Sequence, residues 1–299
     1  MSNYNKKCMQ LHRDGEKMFF STRSVKKKRI KSSFFSELFN QGKGRLTVFP
    51  SNFQHIGRRD NQEDSFAFNN IFDTKNDVSN GFLAVLADGM GGLDKGKEAS
   101  QKAVDSFLST YEIEMNQQHS INWRLEQAAA VANTAVFDLA FRDGKDYELG
   151  TTLVAAVVYM SKLYWLSVGD SRAYHYREGS LMQLTTDHIY ANVLEDEVQK
   201  GLTSITEAEE HPQRDHLTSY LGLPQLIAID KSIKPITLAP GDLVMLCSDG
   251  LYNSLNDEEI AAVLSNDSED PASELVYRAL DKDNPYQDNV TVVILTFLE

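Results

Sequence analysis

Thr152-Leu-Val-Ala-Ala-Val-Val-Tyr159, followed by Met160-Ser161 and then Lys162-Leu-Tyr-Trp-Leu-Ser-Val168, is the stretch on which the architecture turns. Two runs of strand length, rich in Val, Leu and aromatics, are joined by only two residues. So short a link returns the chain as a hairpin, because a parallel crossover needs about a dozen residues or more. The link Glu178-Gly179-Ser180 after the strand expected at 173–177 reads the same way. Pairing is therefore antiparallel, and a doubly wound parallel sheet is disfavoured. Outward from this hairpin, strands are expected at 64–68, 81–87, 232–238, 242–247 and 289–297, and helices at 96–111, 123–141, 189–200, 257–264 and 271–280. In the second helix Leu125, Ala128, Ala132, Val136 and Leu139 recur at spacings of three and four, laying one apolar stripe on a sheet. Strand runs interrupted by helix blocks predict an α+β domain in which helices cover sheets.

The chain has 299 residues, 41% of them hydrophobic and 24% charged, which is enough apolar material for a sizeable core and excludes a fibrous or wholly disordered chain. Its net charge of −13 is unevenly spread. Residues 1–45 hold twelve Lys or Arg against three Asp or Glu, a net of +9, which leaves −22 on the rest. A basic arm, taken as residues 1–50, is thus expected to precede a domain at 51–299, with an acid-rich flap at about 190–216. Lys26-Lys-Lys-Arg29 reads as a solvated flexible tail or as a docking patch for an acidic partner or membrane surface. The acidic body argues against a nucleic-acid binder. No run approaches the ~20 apolar residues of a membrane span, and no signal-like stretch stands at the start, so a soluble, cytoplasmic, monomeric protein is expected. Two cysteines, Cys8 and Cys247, make no disulfide framework, and Cys247 in Leu243-Val-Met-Leu-Cys247 reads as a buried small residue.

Asp-Gly pairs stand at 14, 88, 143 and 249, and by default each marks a turn. Two of them differ in context. Asp88 follows Phe82-Leu-Ala-Val-Leu-Ala87 and Asp249 follows the apolar run ending at Cys247. Asp170 ends a further strand, and Asp288 precedes Val290-Thr-Val-Val-Ile-Leu295. Four acids at the ends of rigid strands suggest convergence. Two carboxylates ~5 Å apart repel by roughly 3 kcal/mol at an effective dielectric near 20, so such a cluster calls for cations. An all-oxygen donor set, with no His or Cys spacing for zinc, favours Mg²⁺ or Mn²⁺.

The segments Gly57-Arg-Arg59-Asp-Asn61-Gln-Glu63-Asp64, Asp88-Gly-Met-Gly-Gly92, Gly150-Thr-Thr152, Val168-Gly-Asp170-Ser-Arg172, Leu184-Thr-Thr-Asp187-His188, Cys247-Ser-Asp249-Gly250 and Asp288-Asn289-Val-Thr291 occur in the order of the metal-dependent PP2C-like (PPM) protein serine/threonine phosphatases. From about Ser51 to Glu299 the chain resembles that family, and its Asp-Gly-Met-Gly-Gly form resembles the bacterial branch. The resemblance implies a four-layer α/β/β/α sandwich of two antiparallel sheets flanked by helices. It implies two Mn²⁺ or Mg²⁺ ions and a third, weaker one. Asp88 would bridge two metals, with the Gly89 carbonyl on the second. Asp249 and Asp288 would hold the first, and Asp170 with Asp249 the third. Arg59 would bind phosphate, while Glu63 and Asp64 would act mainly through metal-bound water. Asp88, Asp249 and Arg59 would carry the catalysis.

The implied function is hydrolysis of phosphoserine and phosphothreonine in proteins by a water bridging the two ions, opposing a protein kinase. The partners would be phosphorylated proteins and a cognate Ser/Thr kinase or its targets. The alternative is a catalytically impaired fold serving as a phosphoprotein-binding or regulatory module. Met90 and Leu93 occupy positions where family members carry histidine, which leaves the proton donor between a metal-bound water and His188. Thr151 and Thr152 are expected to shape the sheet, and Asp187 to cap the helix before the flap. A cysteine-dependent phosphatase is excluded, since Asn253 and Asp14 stand where Arg would follow Cys247 and Cys8.

Overall fold

The structure, a computed structural model, describes residues 46–69, 81–91, 95–114, 119–141, 149–266 and 268–299. The basic arm to residue 45, Cys8, Gly92, Leu93 and Asp143-Gly144 lie outside the described residues. The strands are β1 (Thr47–His55), β2 (Asp64–Phe68), β3 (Phe82–Gly91), β4 (Leu149–Thr151), β5 (Leu153–Tyr159), β6 (Lys162–Val168), β7 (Arg172–Arg177), β8 (Ser180–Gln183), β9 (Asp230–Lys231), β10 (Ile236–Thr237), β11 (Leu243–Cys247) and β12 (Val290–Leu298). The helices are α1 (Lys95–Glu114), α2 (Ile121–Ala140), α3 (Tyr190–Gln199), α4 (Ile205–Glu209), α5 (Asp249–Tyr252), α6 (Asp257–Leu264) and α7 (Pro271–Leu280). None of the described helices is long and apolar enough to cross a membrane.

Every strand pair is antiparallel. One sheet runs β1-β12-β11-β7-β8 and the other β10-β6-β5-β3-β2, with β4 added to β3 and β9 to β6. The decisive hairpin joins Tyr159 to Lys162 across Met160 and Ser161, both at positive φ (49° and 59°). That is the type I′ geometry whose twist matches two-residue hairpins. Glu178 and Gly179, at 50° and 86°, repeat it between β7 and β8.

Period-two alternation sorts the core into three layers. Leu83, Val85 and Ala87 of β3 face Phe107 of α1 and Leu125 and Val136 of α2. Ala84 and Leu86 face the other sheet, meeting Val244, Leu246, Val293 and Leu295. The outer face of that second sheet, with Met245, Cys247, Val292 and Ile294, packs on Ile260, Val263, Leu275 and Val276 of α6 and α7. Helix, sheet, sheet and helix layers are the expected four-layer sandwich. Each fully buried Leu or Phe contributes about 1.5–3 kcal/mol of transfer free energy. Cys247 is fully buried, and that burial pushes its thiol above the ordinary range, so it is core rather than nucleophile.

Four expectations need correction. The boundary at residue 50 falls inside β1, because Val48 is buried opposite Phe297. Pro50 makes this run look unlike a strand, yet β1 is the sheet edge, where a missing N–H is tolerated. The strand expected at 232–238 is reduced to the two residues of β10, with the two-residue β9 standing just before it. Asp88-Gly89 lies inside β3 rather than in a turn after it. Finally, α3 is capped by Ile189 with no side-chain bond. Asp187 instead takes Arg172 in a two-pronged pair, Nε at 3.0 Å and Nη2 at 2.6 Å from Oδ2. Residues 190–216 form a closed excursion, its ends bridged by Ile189 and Leu217 and containing α3 and α4.

Candidate metal centre

The site is built where the two sheets end together. Asp64 opens β2 and stands directly across from Asp88 on β3. At Asp88 the partner of β3 changes from β5, which reaches Leu86, to β4, which begins at Gly89. Two threonines hold that switch. The Asp88 N–H donates to Thr152 Oγ1 at 3.0 Å, and the Asp88 carbonyl accepts from Thr152 N–H at 2.9 Å and Thr151 Oγ1 at 2.8 Å. The Asp88 backbone is thereby satisfied, and the residue is half-buried. Asp170 sits between β6 and β7, its carbonyl accepting from Tyr252 Oη at 3.1 Å. Asp249 begins α5 directly after β11, and Asp288 precedes β12.

Glycine is required where α1 meets β3. A methyl at Gly89 would lie 2.0 Å from the Gly96 carbonyl oxygen, and one at Gly96 would lie 2.8 Å from the Glu63 carboxyl carbon. Both approaches are possible only without Cβ. Glu63 is further fixed by its N–H donating to Asn289 Oδ1 at 2.7 Å and by its carbonyl accepting from Ser100 Oγ at 2.5 Å. Asn289 Nδ2 also donates to the carbonyls of Ile56 and Asn61, at 2.8 and 3.0 Å, clamping the loop that carries Arg59.

The electrostatics of the acids are those of a cation site. Burial, then the charges of Asp64, Asp249, Asp170 and Asp288, push the Asp88 carboxyl well above the ordinary range. Burial, then Asp170, Asp288 and Asp64, push Asp249 up to about 8. Asp64 is raised to about 6 by burial, against hydrogen bonds from Thr291 and Ser248, and Asp170 to about 6 by burial and Asp187. The five aspartates therefore sense one another. Asp64 Oδ2 accepts from Thr291 Oγ1 at 2.6 Å and Ser248 Oγ at 2.8 Å, but its Oδ1 is buried without a partner, as is Asp249 Oδ1. A buried carboxylate oxygen lacking a donor costs several kcal/mol unless a cation supplies the missing charge. The set is all oxygen, which suits a hard divalent ion.

Among the described residues no three His, Cys, Asp or Glu side chains already close on a point where they could share one ion. Arg59 Nη2 lies 2.5 Å from Asp288 Oδ2, so a guanidinium occupies one of the acids. Arg59 is also felt at Asp249, whose carboxyl it lowers. His188 Nδ1 accepts from Gly169 N–H at 3.0 Å, beside Asp170, and burial pushes this imidazole below its ordinary range. Met90 lies within β3 opposite Gly150. Sequence reading assigned no role to Ser248, Asn289 or Thr291, although all three lie inside the quoted motifs. Their partners are remote in sequence: Ser248 is 184 residues and Thr291 227 residues from Asp64.

A family model described as Protein phosphatase 2C matches residues 53–290. The serine/threonine phosphatase stp of Listeria welshimeri is 31% identical over 219 residues, covering 71% of this chain and 83% of that protein. The crystal structure of the Mycobacterium tuberculosis serine/threonine phosphatase PstP/Ppp superposes with a TM-score of 0.69 at 28% identity, over 84% of this chain and 99% of that one. The catalytic domain of PstP in complex with two manganese ions superposes at 0.65 and 27% identity, over 85% of this chain and all of that one. The chain belongs to the protein phosphatase 2C family.

Proposed function

We propose that this member of the protein phosphatase 2C family hydrolyses phosphoserine and phosphothreonine in proteins with divalent metal ions, Mn²⁺ or Mg²⁺, held by Asp88, Asp249 and Asp288, by the Gly89 carbonyl, and by Asp170 at a third position. The observation that carries the reading is the convergence of five mutually repelling aspartates that leaves Asp64 Oδ1 and Asp249 Oδ1 buried without donors. The relatives compared are themselves named serine/threonine phosphatases, which does not favour a catalytically impaired regulatory module. Bound divalent ions lower the pKa of water near neutral pH and offset negative charge on phosphate. The remaining work falls to the chain. Asp64, anchored by Ser248 and Thr291, and Glu63, anchored by Asn289, would orient water at the centre. Arg59, more than half exposed, would exchange Asp288 for two phosphate oxygens.

That exchange solves a problem posed by the acidity of the body. A phosphate dianion is repelled by five uncompensated aspartates. Once cations engage the acids, Asp288 no longer needs Arg59, and the guanidinium becomes available to substrate.

The direct test is hydrolysis of an aryl phosphate with Mn²⁺ and with a chelator. Hydrolysis that needs the metal is expected, and equal rates in chelator would overturn the metal role. Arg59→Ala is expected to lower kcat/KM by about 10- to 100-fold, chiefly through KM, as for loss of a charged hydrogen-bonding partner. Arg59→Lys recovers only part of this, because an ammonium cannot make the two-pronged contact. Unchanged KM in the Ala variant would remove Arg59 from substrate binding. Either Mn²⁺ or Mg²⁺ as the ion, a cognate kinase and a cytoplasmic location are part of the proposal. Supporting the last is the lack, among the described residues, of any helix fit to span a membrane.

A further inference from the structure

A cavity of about 660 Å³ opens beside the metal centre. Asn61 and Gln62 of the loop after Arg59 form one wall, and Lys97, Glu98, Gln101 and Lys102 of α1 form another. Both walls are tied to the centre. Gln62 Oε1 accepts the N–H of Asp64 at 3.3 Å, and the Asn61 carbonyl accepts from Asn289. On the other side, Gly96 packs on Glu63 and Gly89, and Lys97 is the next residue. Residues 98, 101 and 102 share a helix face by their spacing of three and four. The cavity is therefore the ground over which chain on one side of a bound phosphoresidue would run.

Its charge is unusual for this body. Neighbouring cations are engaged: Arg58 with Asp283, Arg59 with Asp288, and Lys95 with Glu98 at 3.4 Å. Lys97 and Lys102 have no carboxylate partner among the described residues, and Lys102 is exposed. Because Lys95 already offsets Glu98, the lining presents two uncompensated positive charges on a molecule whose residues after 45 sum to −22. An acidic side chain approaching the centre elsewhere meets net repulsion, whereas here it meets attraction and the amides of Asn61, Gln62 and Gln101.

We propose that this cavity is a subsite for the substrate chain flanking the phosphoresidue, and that Lys97 and Lys102 select an acidic residue there. The inference rests on the phosphatase reading of the adjacent centre. The test compares phosphothreonine peptides identical except for Glu or Gln at each of the three positions on either side, with the ratio of kcat/KM as the readout. The wild type is expected to favour Glu at one side by about fivefold, the scale of one or two exposed charge pairs. The ratio falls to about one in the Lys97→Gln/Lys102→Gln variant and inverts in Lys97→Glu/Lys102→Glu. It also shrinks as salt is raised toward ~0.5 M. A Glu preference that survives in the double Gln variant, or none in the wild type, overturns the subsite. An aryl phosphate has no flanking chain and reads the centre alone. If the wild type with Mn²⁺ fails to hydrolyse it, the phosphatase reading falls; if it hydrolyses the aryl phosphate without peptide preference, only the subsite does.

Discussion

Replacing Asp88 by Asn is expected to lower aryl phosphate turnover by about a thousandfold or more while raising the melting temperature of the metal-free protein. The two effects share one cause. Asp88 is half-buried, and the desolvation of its carboxyl together with the charges of Asp64, Asp249, Asp170 and Asp288 opposes its ionisation. Without cations, the folded protein must either hold a proton there or bear a buried charge, and at neutral pH and above both are costly. An Asn side chain is nearly isosteric and needs no proton, so the cost disappears. On the proposed function, the same carboxylate would supply an anionic ligand to the cations, and a neutral amide would not. The thousandfold figure corresponds to about 4 kcal/mol of transition-state stabilisation, within the several kcal/mol that metal ions contribute. The gain in the metal-free state is expected at about 3–6 °C and is larger at pH 8 than at pH 6. Thermal melts in chelator and in excess Mn²⁺, alongside turnover, check both halves. A variant that melts lower in chelator, or keeps wild-type turnover, would falsify the role assigned to Asp88.

This opposition of stability and activity explains what could and could not be read in advance. Asp88, Asp170, Asp249 and Asp288 could be picked out because a rigid apolar run on one side of each announces a fixed position, although Asp88 lies within β3 and not at its end. The bounds of β2, β6, α6 and α7 were legible for a related reason: their apolar periodicity is sharp and their ends carry turn or cap residues, such as Asn256 and Asp270. What escaped reading depends on contacts remote in sequence. Pro50 argues locally against a strand, and only the presence of β12 beside Thr47–His55 makes it one. Asp187 looks like a helix cap until Arg172, fifteen residues earlier, claims both its oxygens while lying 3.6 Å over the Tyr252 ring. Ser248, Asn289 and Thr291 carry no chemistry of their own, so nothing in their residue types points to the carboxylate and the loop they hold. Lys97 and Lys102 could be singled out only once the ion pairs of their neighbours were known.

The metal-free protein is expected to lose stability between pH 6.5 and pH 8.5, and Mn²⁺ to reverse that trend. In the folded chain Asp64 and Asp170 are pushed up to about 6 and Asp249 to about 8, and Asp88 is raised well above the ordinary range. Unfolded carboxylates titrate near ~3.9. At any pH between these values the folded state binds more protons than the unfolded state, so stability falls as pH rises. The penalty is absent below ~4 and grows as pH rises through about 6 and about 8. Other groups do not mask it in this window. The lowered carboxyls of Asp242, Glu207 and Glu259 are ionised throughout and give a constant contribution. His55 and His188, whose imidazoles are pushed down by burial, act with the opposite sign but only below ~6.5, where the unfolded histidines take up protons. Asp249 and Asp88 thus dominate from pH 6.5 upward. Metal ions compete with those same protons, so the rise in melting temperature caused by saturating Mn²⁺ should grow across the interval as fewer protons must be displaced. Melting curves at pH 6.5, 7.5 and 8.5, each with chelator and with Mn²⁺, separate the two slopes. A flat or rising metal-free curve would mean that the aspartates are not held together as closely as the structure has them, and a Mn²⁺ shift independent of pH would mean that the ion binds elsewhere.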